Sequence, residues 1–203
     1  MERRTQTGYL VLADISGYTS FVAQTEIEHA EKAISILLET LIGRLADSLT
    51  IVKLEGDAVF CHVSDEQMPD CNAMLALLDD AYRVFRDSAF ALHARATCPC
   101  KACKAIPTLD LKFFVHHGEY VIQQVAGIRD LLGNDVTLVH RLAKNGVTAS
   151  TGWQGYVLFT GACLERLQAD KRPFVRQAET YEYLGDVETF VMDMHVRYEG
   201  LMK

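Results

Sequence analysis

From Glu26 to Ala46 the apolar side chains Ala30, Ala33, Ile34, Leu37, Leu38, Leu41, Ile42 and Leu45 recur at helical spacing and fall on one stripe. A short apolar run, Tyr9 to Ala13, precedes that helix and reads as a buried strand ending at Asp14. Ile15 to Thr19, with Gly17, forms the turn between them. Two more strands follow, Thr50 to Lys53 and Ala58 to Val63, around the tight turn Glu55-Gly56-Asp57. A second helix runs from about Asp70 to Ala91, with Met74, Leu77, Leu78, Ala81, Tyr82 and Phe85 inward. Leu109 to His117 and Tyr120 to Ala126 then read as a hairpin turning at Gly118. This alternation of periods predicts an α+β chain with a ferredoxin-like βαββαβ core, an antiparallel sheet with helices packed on it. Beyond the core come a helix over Asn134 to Lys144, a strand over Gly155 to Thr160 and a short helix through Leu167. A last hairpin, Tyr181 to Met194 turning at Gly185-Asp186, supplies extra C-terminal strands.

The 203 residues show no repeat, low-complexity tract or linker, so residues 1–203 are expected to form one unit with a Cys-rich insertion at about 96–106. Hydrophobic residues make up 49% and charged residues 23%, enough for a sizeable core. The net charge of −7 argues against nucleic-acid binding, which needs basic surface. It does not argue against a nucleotide enzyme, because a metal ion can bridge acidic residues to phosphates. No apolar run approaches the ~20 residues of a membrane span. The stretch after Met1-Glu2-Arg3-Arg4 is too short for a signal-peptide core, so a cytoplasmic protein without membrane contact is expected. In a reducing compartment Cys61, Cys71, Cys98, Cys100, Cys103 and Cys163 are expected as thiols or metal ligands rather than disulfides.

Asp14 ends the first strand and Asp57 sits in the hairpin between the second and third. In a βαββαβ sheet the first and third strands are neighbours, so the two carboxylates can face a common pocket. Two carboxylates repel unless a cation such as Mg²⁺ or Mn²⁺ lies between them. By spacing alone, ordinary turn chemistry explains both residues as well: Asp before Ser-Gly and Asp after Gly are common turn patterns.

The local sequences add to this. Leu12-Ala13-Asp14-Ile15-Ser16-Gly17-Tyr18-Thr19 and Lys53-Leu54-Glu55-Gly56-Asp57-Ala58-Val59-Phe60 resemble the two metal-binding segments of class III adenylate and guanylate cyclases. Asp130-Leu131-Leu132-Gly133-Asn134-Asp135-Val136-Thr137-Leu138-Val139-His140-Arg141-Leu142 is similar to that family's substrate and transition-state segment, and Val115-His116-His117-Gly118-Glu119 falls where the family has a His-Gly hairpin end. Within that superfamily the chain looks most like the uncharacterised DUF2652 family. The resemblance implies that Asp14 and Asp57, with the Ile15 carbonyl, bind two metal ions. It also implies that the backbone of Ser16, Gly17, Tyr18 and Thr19 receives phosphates at a helix start. Lys53 and Asp130 match the purine-reading pair and favour ATP; Arg141 matches the arginine that stabilises charge on phosphorus, and Thr137 stands where Asn is usual. Such sites are built across a homodimer. One departure weakens the likeness: Glu182 to Leu184 fall where a triphosphate-binding lysine is usual, and a carboxylate there repels phosphate by a few kcal/mol at an effective dielectric near ~20. Lys144 or Arg129 could replace that lysine. The function implied is ATP conversion to cyclic AMP and pyrophosphate. The alternatives are a silent nucleotide- or metal-binding module and a redox- or zinc-sensing module.

Cys98-x-Cys100-x-x-Cys103 lies outside the cyclase pattern and reads as a loop. Its thiols could hold Zn²⁺, with Cys71, His93 or His117 as a fourth ligand, or could form a reduced surface loop. The other prominent residues have plainer readings. His116 and His117 are expected at a strand end, one facing the sheet and one solvent; Trp153 and Tyr156 read as core and turn residues. The acidic Glu26-Ile27-Glu28 reads as charge meeting a helix macrodipole.

Overall fold

The computed structural model describes residues 5–201; Met1, Glu2, Arg3 and Arg4 lie outside the described residues. A long strand β1 (Gln6–Ser16) leads through Gly17 into α1 (Tyr18–Gln24) and α2 (Ile27–Leu45). The hairpin β2 (Thr50–Glu55) and β3 (Ala58–Ser64) follows, then α3 (Cys71–Arg95) and the short α4 (Lys101–Ala105). Next come β4 (Asp110–Val125), β5 (Ile128–Leu132), α5 (Asn134–Leu142) and α6 (Val147–Thr151). The chain ends in β6 (Tyr156–Thr160), α7 (Gly161–Arg166), β7 (Val175–Tyr181), β8 (Gly185–Asp193) and α8 (Met194–Leu201).

The sheet runs in the order β2-β3-β1-β4-β6-β8-β7, with β5 pairing the far part of β4. Its first four strands are the ferredoxin-like set in the expected order. The β4–β6 pair is parallel and every other pair antiparallel, so the sheet is mixed rather than wholly antiparallel. Alternation along β1 explains the layering. Tyr9, Val11, Ala13 and Ile15 join the core formed with α2 and α3, whereas Leu10 and Leu12 join a second core with Val136, Val139 and Leu142 of α5. A strand buried on both faces reads as a continuous apolar run, which is why β1 shows no polar alternation until Asp14.

Three local expectations change. First, no hairpin turns at Gly118: β4 passes straight through it, and the turn lies at Ala126 (φ 50°) and Gly127 (φ 85°) before β5. Gly118 is required for close approach instead, because a Cβ there would stand 2.3 Å from Asp135 Cγ. Asp135 Oδ2 accepts the Glu119 N–H at 2.6 Å, and Asp135 Oδ1 lies 3.1 Å from Nε2 of the buried His116, whose Nδ1 meets Thr160 Oγ1 at 2.8 Å. His116 therefore ties α5 to β4 and β6 in mid-strand, and His117 points the other way to Asp65 at 2.8 Å. Second, Lys101–Ala105 is helical rather than looped, because Cys100 Sγ accepts the Cys103 N–H and caps it. Third, the last hairpin begins at Val175 rather than Tyr181, and its turn is Glu182 to Leu184.

Replacing Gly118 by Ala is expected to lower stability by about 1–3 kcal/mol, read as a lower urea midpoint. Combining it with Asp135→Ala should recover little of that loss, because the Cβ kept at position 135 would still stand 2.5 Å from the new methyl group.

Candidate functional site

Asp14 lies two residues before the end of β1, paired with Ala58 of β3 on one side and Lys112 of β4 on the other. Asp57 occupies the β2–β3 turn, and its carbonyl accepts the Ile15 N–H at 3.3 Å. The two aspartates therefore stand at one end of the sheet, close enough for their charges to interact. Burial pushes the Asp14 carboxyl up from 3.8 to about 6, with the Asp57 charge adding to the rise and Lys112 opposing it. Asp57 is raised too, chiefly by burial, and Lys112 again opposes. A carboxylate pair held in an unfavourable, partly desolvated state is the donor chemistry that suits a hard divalent cation. Lys112 went unremarked in the sequence, because a lysine between Leu111 and Phe113 reads as a solvated strand position. Only the register opposite Asp14 gives it a role.

The segment expected to receive phosphates follows directly. Ser16 is buried and donates its hydroxyl to Gln154 Oε1 at 3.1 Å. Gly17 adopts the left-handed conformation (φ 86°) that reverses the chain into α1, and no side chain caps that helix. Tyr18 is partly buried, and Thr19 is exposed.

Lys53 and Asp130 are far apart in sequence but meet at 3.0 Å, bringing β2 and β5 together. Lys53 also pairs with Glu55 Oε1 at 2.9 Å, and Glu55 Oε2 lies 3.0 Å from His140 Nε2. These hydrogen bonds and charges outweigh burial and raise the Lys53 pKa; burial is the largest single effect and acts downward. Lys53, Glu55, Thr137, His140, Arg141 and Lys144 line an open groove of about 430 Å³. Arg141 is exposed, with no ion-pair partner among the described residues. The Thr137 hydroxyl donates back to the Gly133 carbonyl at 3.2 Å. The sequence-predicted residues thus fall into two groups, Asp14 with Asp57 and Lys53 with Asp130, Thr137 and Arg141. Glu182 sits exposed in the β7–β8 turn and Arg129 exposed on β5, and neither lines the groove.

The cysteine segment brings in a residue the sequence did not suggest. One ligand atom each from His29, Cys98, Cys100 and Cys103 lies within 4.8 Å of the others, a group that could hold a metal ion. His29 comes from the first turns of α2; its Nδ1 is 3.1 Å from Cys100 Sγ and 3.8 Å from Cys103 Sγ. The residue grouped with the three thiols is therefore His29, rather than Cys71, His93 or His117. Cys71 opens α3, the His93 Nδ1 bonds the Cys103 carbonyl at 2.9 Å, and His117 is held by Asp65. The Cys103 N–H holds the Cys100 thiol down at about 7, while Cys100 pushes Cys103 up to about 11. Glu26 does not serve its own helix either: its carboxylate accepts the N–H groups of Lys101 at 3.3 Å and Ala102 at 3.0 Å, capping α4.

The fold is similar to that of solved adenylyl and guanylyl cyclase structures. The guanylyl cyclase Cya2 superposes with a TM-score of 0.73 at 15% identity, covering 94% of this chain and 93% of that one. The adenylyl cyclase CyaB from P. aeruginosa gives a TM-score of 0.66 at 15% identity, covering 95% and 97%. A bacterial light-regulated adenylyl cyclase gives 0.69 at 15% identity over 94% of this chain, which spans 53% of that longer one. At such identities the likeness speaks for the fold alone. Residues 34–151 match the family described as "Protein of unknown function (DUF2652)", and the chain belongs to that family. It is also 30% identical over 162 residues, 78% of this chain and 72% of the relative, to the uncharacterized protein Rv2561/Rv2562 of Mycobacterium tuberculosis (strain ATCC 25618 / H37Rv). No helix among the described residues is long and apolar enough to cross a membrane.

The raised Asp14 pKa has a measurable consequence. The unfolded chain ionises near 3.8 and the folded one near 6, so stability is fully present below pH 4 and falls as pH rises through that window. The loss is on the order of 2–3 kcal/mol. In metal-free buffer at pH 8, Asp14→Asn is expected to raise the thermal midpoint by about 5 °C, a gain that vanishes below pH 4. Differential scanning calorimetry across that range checks the sign.

Proposed function

We propose that this protein is a nucleotide cyclase-type protein that takes ATP, in preference to GTP, to cyclic AMP and pyrophosphate at a site shared by two copies of the chain. Residues 1–203 would act as one catalytic unit, with the cysteine-bearing segment at about 96–106 as an insertion. The observation that carries the reading is the half-buried Asp14–Asp57 pair at one end of the cyclase-type sheet, with Asp14 shifted to about 6.

Asp14 and Asp57, with the Ile15 carbonyl, would hold Mg²⁺ or Mn²⁺. Bound there, such an ion lowers the pKa of a ribose 3′-hydroxyl and neutralises triphosphate oxygens. The chain's own residues supply the rest. Backbone N–H groups from Ser16 to Thr19 face the phosphates. Lys53 and Asp130 form a donor–acceptor pair across two strands, suited to a ring nitrogen and an exocyclic amino group of adenine. Arg141, exposed and unpaired among the described residues, offers its guanidinium to charge growing on phosphorus. Lys144 adds a second cation in the same groove and can stand in for the missing triphosphate lysine.

The resemblance sets Arg141 of one copy against the Asp14–Asp57 pair of a second, and Arg141 is not among the groups that act on either aspartate within one chain. The exposed apolar side chains Leu54 of β2, Val125 of β4, and Ile128 and Leu132 of β5, which contacts both other strands, give that second copy a surface to bury. Specific observations also favour a second reading, a module that binds nucleotide without turning it over. Lys53 is engaged by two carboxylates, the Thr137 hydroxyl is spent on Gly133, and Glu182 occupies the turn where a cation would be useful.

Incubation of the purified protein with ATP and Mn²⁺ should yield cyclic AMP, abolished by Asp57→Ala and lowered at least ~100-fold by Arg141→Ala. Mixing those two variants should restore part of the activity, because a hybrid dimer keeps one intact site. Nucleotide binding by calorimetry without product from ATP or GTP would favour the non-catalytic module.

A further inference from the structure

We propose that His29, Cys98, Cys100 and Cys103 form a closed four-ligand zinc site that clips the start of α2 to the segment joining α3 and β4. This does not rest on the cyclase reading, because the residues, the donor chemistry and the place in the fold all differ from those of Asp14 and Asp57.

The first argument is convergence. His29 belongs to a helix that precedes the cysteines by two strands and another helix, yet its Nδ1 stands 3.1 Å from Cys100 Sγ. The second is geometry. Zn–S bonds near ~2.3 Å and Zn–N near ~2.0 Å place tetrahedral ligand atoms about 3.5–3.8 Å apart. The four ligand atoms lie within 4.8 Å of one another, so small rotations of surface side chains close the tetrahedron. The third is donor type: three thiols and an imidazole are the soft set that selects zinc over Mg²⁺ or Mn²⁺, which prefer oxygen.

The fourth argument is support from the surroundings. The Cys103 N–H points at Cys100 Sγ at 3.3 Å, an arrangement that stabilises a thiolate ligand. His93 Nδ1 fixes the Cys103 carbonyl at 2.9 Å. Glu26, one turn before His29, caps the α4 backbone at Lys101 and Ala102. One turn of α2 therefore grips this segment twice, by carboxylate to backbone and by imidazole to metal. The segment continues through Thr108, whose carbonyl would lie 3.6 Å from a side chain placed at Gly17, in the turn after Asp14. The clip thus braces the ground on which that turn rests.

The test uses the full chain, reduced and stripped of metal, titrated with Zn²⁺ against a chromophoric chelator and separately with Co²⁺. We expect one Zn²⁺ per chain, and a Co²⁺ spectrum with thiolate charge transfer and the intense visible bands of tetrahedral coordination. His29→Ala, a change on an exposed side chain, should fold, bind zinc about tenfold or more weakly and shift the visible bands; His29→Cys should restore affinity. Asp57→Ala should keep a full equivalent. The proposal is overturned if the wild type retains no more zinc than the variant with Cys98→Ser, Cys100→Ser and Cys103→Ser. It is equally overturned if His29→Ala matches the wild type in affinity and cobalt spectrum, or if Asp57→Ala loses the zinc.

Discussion

The pairing of β1 between β3 and β4 governs the architecture. It buries β1 on both faces, with Tyr9, Val11, Ala13 and Ile15 against α2 and α3, and Leu10 and Leu12 against α5. A slip of one residue in register would exchange the two apolar sets between their cores and carry Asp14 to the opposite face of the sheet. The same register sets Asp14 opposite Ala58 and Lys112, beside the turn that carries Asp57. The polar end of β1 is therefore positioned by the packing of its apolar part, and the cost of a half-buried carboxylate is carried by the core around it.

The electrostatics divide along the sheet. At one end two carboxylates share a lysine and remain raised in pKa, a state that a divalent cation would relieve. In the groove, Lys53 is already satisfied by Asp130 and Glu55, so any base it recognises must compete with two carboxylates for its three donors. Arg141 and Lys144 have no such restraint among the described residues. The groove is therefore most open to an anion where those two side chains lie.

What the sequence disclosed follows from how local each signal was. The βαββαβ order, the long stripes of α2 and α3 and the neighbouring aspartates are written in periodicity and short motifs, and they emerged in the right order. Lys53 and Asp130 were paired through resemblance, and the fold places them at 3.0 Å. Features that depend on two distant elements were hidden. Gly118 looked like a turn because glycine serves equally where another side chain crowds the backbone, and only α5 supplies Asp135 for that purpose. His29 carries no signal of its own in the sequence, and Glu26 reads there as a charge meeting its own helix. Both face a segment that approaches only after α3 has crossed the sheet. The exposed alternation of β7, Val175 to Tyr181, carries little apolar weight, so the sequence gives no signal for a strand before Tyr181.

The uninterrupted course of β4 has a mechanical meaning. Its early part lies in the main sheet, where Lys112 faces Asp14, and its late part leaves that sheet to pair only with β5 as far as Val125. At about 3.3 Å per residue the two points are at most roughly 40 Å apart along one continuous strand. No turn interrupts it at Gly118. Whatever grips the apolar tip at Val125 and Ile128 therefore holds the same strand whose other end carries the ammonium group of Lys112 opposite Asp14.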